Sequence, residues 1–151
     1  MYNLIWGISL IKKLRRVTGL ISLIYGVKGS GKTKRIIDAA NDSVKGNKGN
    51  VIYISDRAYS GQLNRDIRFV DATEYGVKNP VAAMGFIKGI LASDNDITNI
   101  FIDGLARMAD STVDGMGDFY NELEKLSLSD KVDFIITVSS DALPEFLKKY
   151  V

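Results

Sequence analysis

Residues 26–33 read GVKGSGKT, between the apolar run LISLIY (20–25) and a segment in which Ile36, Ala40 and Val44 recur every fourth residue. A short β-branched and aromatic run bounded by glycine suits a buried strand, and fourfold spacing suits one face of a helix. The octet therefore lies where a strand end turns into a helix start. It fits GxxxxGK(S/T), with Gly26, Gly31, Lys32 and Thr33 at the fixed positions. In such a loop the backbone N–H groups turn inward, and glycine lets the chain approach an anion without a Cβ clash. Gly26, Val27, Lys28, Gly29, Ser30, Gly31, Lys32, Thr33 and Lys34 thus form a candidate phosphate cradle. Lys32 supplies a point charge to β and γ phosphates, and Thr33 a hydroxyl for Mg²⁺. At average residue usage the pattern arises by chance in on the order of one percent of chains this long. Its place between strand and helix argues against an accident.

Three further runs resemble the first: VIYIS (51–55), ITNIFID (97–103) and VDFIITV (132–138). Helical spacing appears in Phe119, Leu123 and Leu126; Pro80 can open a helix over 81–91, and Pro144 a short C-terminal one. Continuous apolar strands alternating with helices predict α/β architecture, with a mainly parallel sheet covered on both faces. Within 56–79, DIRFVD reads as a short extra strand, and GLARMADSTVDGMG (104–117) as a long mobile loop. Asp103 ends one apolar strand, 70 residues after Thr33. In a parallel sheet its carboxylate, on a strand neighbouring the cradle, would reach the Mg²⁺ shell through water.

The chain has 151 residues and 46% hydrophobic content, enough for one compact core. It contains neither Cys nor His, which excludes disulfides, thiolate or imidazole metal sites and imidazole bases. Residues 1–50 carry ten Lys/Arg against two Asp, and 51–151 ten against sixteen Asp/Glu, so the net charge of +2 divides into +8 and −6. The opening MYNLIWGISLIKKLRRVTG is an apolar run followed by Lys12, Lys13, Arg15 and Arg16. It falls short of the ~20 apolar residues that span a bilayer. Its charges also follow the apolar run, whereas a secretory signal has them before it. Two units are expected: an amphipathic, basic extension over 1–18 and a nucleotide-binding domain over 19–151, in a cytoplasmic protein. Contact of 1–18 with a membrane surface is the minor alternative.

At these residues the sequence resembles the P-loop NTPases of the additional-strand division, and within them the RecA-like ATPases. The resemblance covers about 20–141, with GVKGSGKT similar to Walker A and IFID to Walker B. It implies a three-layer α/β sandwich that binds ATP and Mg²⁺ as cofactors, with Thr33 and Asp103 at the metal. It further implies that Asp56, just past the second strand, activates the attacking water, and that Ser139 or Ser140 senses the γ phosphate. Lys32, Asp56, Asp103, Ser139 and Ser140 are thereby the catalytic candidates. Asp56 is one methylene shorter than the glutamate usual there, and Gly104 occupies the other common location of that base. Arg57 and Arg107 are candidates for a charge-stabilising arginine, which in the resembling family often comes from a neighbouring subunit of a homo-oligomer.

An ATPase is the leading expectation. A nucleotide-dependent adaptor with little hydrolysis, engaging a protein partner, is the alternative; a GTPase fits less well because no NKxD sequence occurs, and a small-molecule kinase because segment 104–117 has only Arg107 where such kinases carry an arginine-bearing lid. Nucleic acid is not a favoured partner: segment 104–117 and the residue after it hold Asp110, Asp114 and Asp118 against Arg107 alone, while backbone binding wants clustered cations.

Overall fold

A computed structural model describes residues 19–58 and 61–151. Five strands form one sheet: β1 (Ile21–Gly26), β2 (Asn50–Ser55), β3 (Ile67–Asp71), β4 (Ile97–Asp103) and β5 (Asp133–Ser139). The helices are α1 (Lys32–Ser43), α2 (Pro80–Ser93), α3 (Leu105–Met108) and α4 (Gly117–Asp130), with 3₁₀ turns at Ala72–Tyr75, Asp114–Met116 and Glu145–Tyr150. The sequence expectation of a parallel, helix-covered sheet holds. DIRFVD supplies the edge strand β3, and α2 runs through Gly85 and Gly89. Asn79 caps it by accepting a hydrogen bond from the Ala82 N–H at 2.8 Å, with Pro80 in the first turn, where a missing N–H costs nothing.

The strand order is β1-β5-β4-β2-β3, and every pairing is parallel. β5 therefore lies between β1 and β4, so Asp103 comes from the next strand but one and not from a neighbour of the cradle strand. The register sets Gly26 opposite Ser139 and Ser55 opposite Asp103, which brings the carboxyl ends of four strands to one edge. In open parallel sheets that edge is where ligands bind.

On one face Ile36, Ile37 and Ala40 of α1 pack against Val51, Tyr53, Ile67 and Phe101. On the other, α2, α4 and the last 3₁₀ turn cover Ile52, Ile54, Ile100, Ile102, Phe134, Ile136 and Val138. The sheet is apolar on both sides because both are covered, which gives the three-layer sandwich.

A second expectation is overturned. Residues 104–117 are not a long loop: they fold into α3 and a 3₁₀ turn, with Leu105, Met108, Ala109 and Met116 buried. Leu105, Met108 and Ala109 have i, i+3, i+4 spacing, and that short apolar face drives the segment onto the core despite its Gly, Asp and Ser content. Among the described residues no helix is long and apolar enough to cross a membrane. The expected extension over 1–18 lies outside the described residues.

Leu123, fully buried on α4, tests this packing against Leu128, which is exposed on the same helix. Leu123→Ala is expected to lower unfolding stability by roughly 2–5 kcal/mol in a urea titration. Leu128→Ala should change it by less than about 0.5 kcal/mol.

Candidate functional site

The octet joins β1 to α1 as its pattern requires. Gly31 caps the helix in the left-handed region at φ 86°, which a side chain would strain. No side chain caps that helix end and no acidic residue stands in its first turn, so its N–H groups and positive dipole end face the loop. Lys32 is buried, and its ammonium donates to the Val27 carbonyl at 2.8 Å, folded back across the loop. The Ser30 N–H donates to the same carbonyl at 3.2 Å, closing the turn.

Thr33 and Asp103 meet directly. The Thr33 hydroxyl donates to Asp103 Oδ2 at 2.9 Å. The other oxygen, Oδ1, accepts from the Thr137 hydroxyl at 2.7 Å, and Thr137 Oγ1 in turn accepts from the Gly104 N–H at 3.1 Å. Asp103 is buried, so this pair of hydroxyls supplies the polar contacts that its carboxylate would otherwise lose with water. Tyr53 lies two residues before Ser55 on the same face of β2. Burial, and then the Asp103 charge, push its phenol pKa up, so it stays neutral in the core beside Asp103.

A cavity of about 400 Å³ opens over this edge, lined by Lys28, Gly29, Gly31, Lys32 and Thr33 from the loop, by Asp103 and Ser139 from strand ends, and by Arg57 and Arg107. Its lining cations outnumber its acids, which suits a polyanion. Asp56, just past β2, is held by Arg107: Nε donates to Oδ2 at 2.9 Å and Nη2 to Oδ1 at 3.1 Å. Both residues were singled out in the sequence, but their pairing was not expected. Hydrogen bonding to Asp56 raises the Arg107 pKa further above its ordinary value, so the guanidinium stays charged.

Of the expected site residues, Gly26, Val27, Ser30, Lys34, Asp56 and Ser140 do not line the cavity. The Ser140 hydroxyl donates to the Ala142 carbonyl, while its N–H donates to the Gly26 carbonyl at 3.0 Å; of the two sensor candidates only Ser139 lines the cavity. The Lys34 side chain pairs with Asp38 one turn along α1 at 2.8 Å, both exposed, which leaves its backbone N–H as its contribution to the cradle. Thr137 is the residue that sequence reasoning missed. It sits two residues before Ser139, hence on the same face of β5, and that alternation was the available signal.

Hard oxygen donors suit Mg²⁺, and the Thr33 hydroxyl and Asp103 carboxylate are such donors on adjacent atoms. No group of three or more acidic, His or Cys side chains fit to hold a metal occurs among the described residues. The residues thus fit a cation that takes most of its shell from phosphate and water, as Mg²⁺ does.

No protein-family model matches the chain, and no curated protein matches it. Among solved structures it is similar to a KaiC-like protein from the hyperthermophilic archaeon Pyrococcus horikoshii OT3, with TM-score 0.60 and 16% identity. The match covers 82% of this chain and 64% of that one. At that identity the likeness bears on the fold, which is RecA-like α/β.

Thr137→Val keeps the side-chain shape but strips partners from a buried carboxylate oxygen and the Gly104 N–H. We expect a loss of roughly 1–3 kcal/mol in urea unfolding, with most of it restored in Thr137→Ser.

Proposed function

We propose that residues 19–151 form a P-loop domain that binds ATP with Mg²⁺ and hydrolyses it, with residues 1–18 as an extension. The observation that carries this is the 2.9 Å contact between Thr33 and Asp103, two residues 70 apart in sequence that the fold brings together beneath a cationic loop. A glycine-rich turn with no ligand would have no need for a buried carboxylate at its hydroxyl.

In this proposal the α1 N–H groups and Lys32 hold the β and γ phosphates, Lys32 leaving the Val27 carbonyl to do so. Thr33 and Asp103 would hold the metal, which when bound supplies charge neutralisation on the phosphates. Ser139 faces the γ phosphate, and Asp56 is the base for the attacking water. Arg57 and Arg107 contribute positive charge where negative charge spreads in the transition state. A homo-oligomer in which a second copy adds an arginine to the cavity, and a cytoplasmic setting, belong to the same proposal.

The adaptor reading has one observation in its favour: Asp56 is occupied by Arg107 at both carboxylate oxygens, which is not how a working base stands. Turnover separates the two. We expect Lys32→Ala to weaken Mg·ATP binding about 10- to 100-fold by calorimetry, the scale of a charge-assisted contact. Asp56→Asn should not weaken binding and should lower phosphate release about 100-fold or more. Equal, negligible phosphate release from the unaltered protein and Asp56→Asn would favour the adaptor. Nucleotide binding by Lys32→Ala as tight as in the unaltered protein would overturn the proposal.

A further inference from the structure

Arg107 and Asp56 are fixed from opposite sides of one gap. Asp56 follows Ser55, whose register partner is Asp103, so the carboxylate stands level with Gly104. The turn that carries it is held by the Arg57 N–H donating to Ser55 Oγ at 3.1 Å. Arg107 projects from α3, anchored by buried Leu105, Met108 and Ala109 and by the Met108 N–H donating to the Gly104 carbonyl at 2.9 Å. Gly104 lies beneath the pair: at φ 86° a Cβ there would come within 2.5 Å of Arg107 Nη2 and 2.7 Å of Asp56 Oδ1. A Cβ after Asp103 would thus crowd the ion pair as well as strain the backbone.

The pair is unevenly exposed, the Asp56 side chain at 15% and Arg107 at 46%. Arg107 also lines the phosphate cavity. A half-exposed guanidinium with a long stem can exchange a carboxylate for a phosphate at little cost, because ion pairs open to water contribute little and phosphate carries more charge. While both of its oxygens accept from Arg107, fewer of the Asp56 lone pairs are open to an attacking water.

We propose that Arg107 is the residue that distinguishes triphosphate from diphosphate, and that it does so by leaving Asp56 for the γ phosphate. This rests on the nucleotide reading above. Without a γ phosphate, Arg107 clamps Asp56 and the base is withheld. With one, the guanidinium moves to the γ oxygens and the Asp56 carboxylate is released. Water then attacks the γ phosphorus, its proton passes to Asp56, and the bond from that phosphorus to the bridging β oxygen breaks. ADP and inorganic phosphate leave, Asp56 returns the proton to solvent, and Arg107 closes on it again. One ion pair thereby couples base release to substrate identity.

The test compares ATP and ADP affinities, with Mg²⁺ present, for the unaltered protein, Asp56→Asn, Arg107→Ala and Asp56→Asn/Arg107→Ala. Clamping lowers apparent ATP affinity by the fraction of molecules in which Arg107 is withheld. Asp56→Asn, which is nearly isosteric, should therefore bind ATP roughly five-fold tighter with ADP affinity unchanged, the scale of an exposed ion pair. Arg107→Ala should lower the ATP-to-ADP affinity ratio about tenfold. The double variant should match Arg107→Ala, since the gain from Asp56→Asn needs the arginine.

An ATP-to-ADP ratio unchanged by Asp56→Asn, or an Asp56→Asn gain that persists without Arg107, would overturn the clamp and leave the nucleotide reading standing. If neither the unaltered protein nor Lys32→Ala bound either nucleotide, both readings would fall. Should Arg107→Ala not fold, Arg107→Lys keeps the charge without the fork; a ratio equal to that of the unaltered protein would count against the clamp.

Discussion

The carboxylate of Asp103 is the constraint on which the edge of this sheet depends. It is buried and negatively charged, and such a group persists only where its oxygens are hydrogen-bonded. Thr33 satisfies one oxygen from the first turn of α1, and Thr137 the other from β5. Three elements distant in sequence are therefore tied at one point: the helix after the loop, the strand ending in Asp103 and the strand inserted between β1 and β4. The parallel register makes this feasible, since it stacks strand ends in a row with alternate side chains facing α1. Thr137 also accepts from the Gly104 N–H, so the knot sets both the carboxylate and the start of α3.

Most of the layered plan was legible because its signals are local. Four apolar runs, the first two flanked by Gly, Asn or Asp, marked the strands, and ITNIFID coincides with β4 residue for residue. The loop was legible because its spacing reflects short-range backbone geometry. What escaped was set by partners far along the chain. Residues 104–117 carry a loop-like composition, and only burial under the rest of the fold makes Leu105, Met108 and Met116 a packed face. Thr137 looks like any strand threonine until strand order places β5 beside β4. Likewise Asp56 and Arg107 were separately conspicuous, but a contact between residues 51 apart depends on the β2–β4 register, which no local pattern encodes.

Gly104 joins these two themes. In the resembling family a base commonly follows the Asp of the Walker B strand, and its absence here reads in sequence as a missing catalytic group. The geometry gives another account. A side chain at 104 would strike the Asp56–Arg107 pair and would need a left-handed backbone that only glycine adopts readily. The Asp56 carboxylate stands over the same gap from β2, one strand over, because Ser55 and Asp103 are register partners. A side chain on the residue after Asp103 would be fixed by the knot that holds Asp103 itself, whereas Asp56, on the turn after β2, faces α3 across the sheet edge. There Arg107 holds it, and because the same arginine also lines the cavity, the ion pair ties the turn after β2 to the cavity wall.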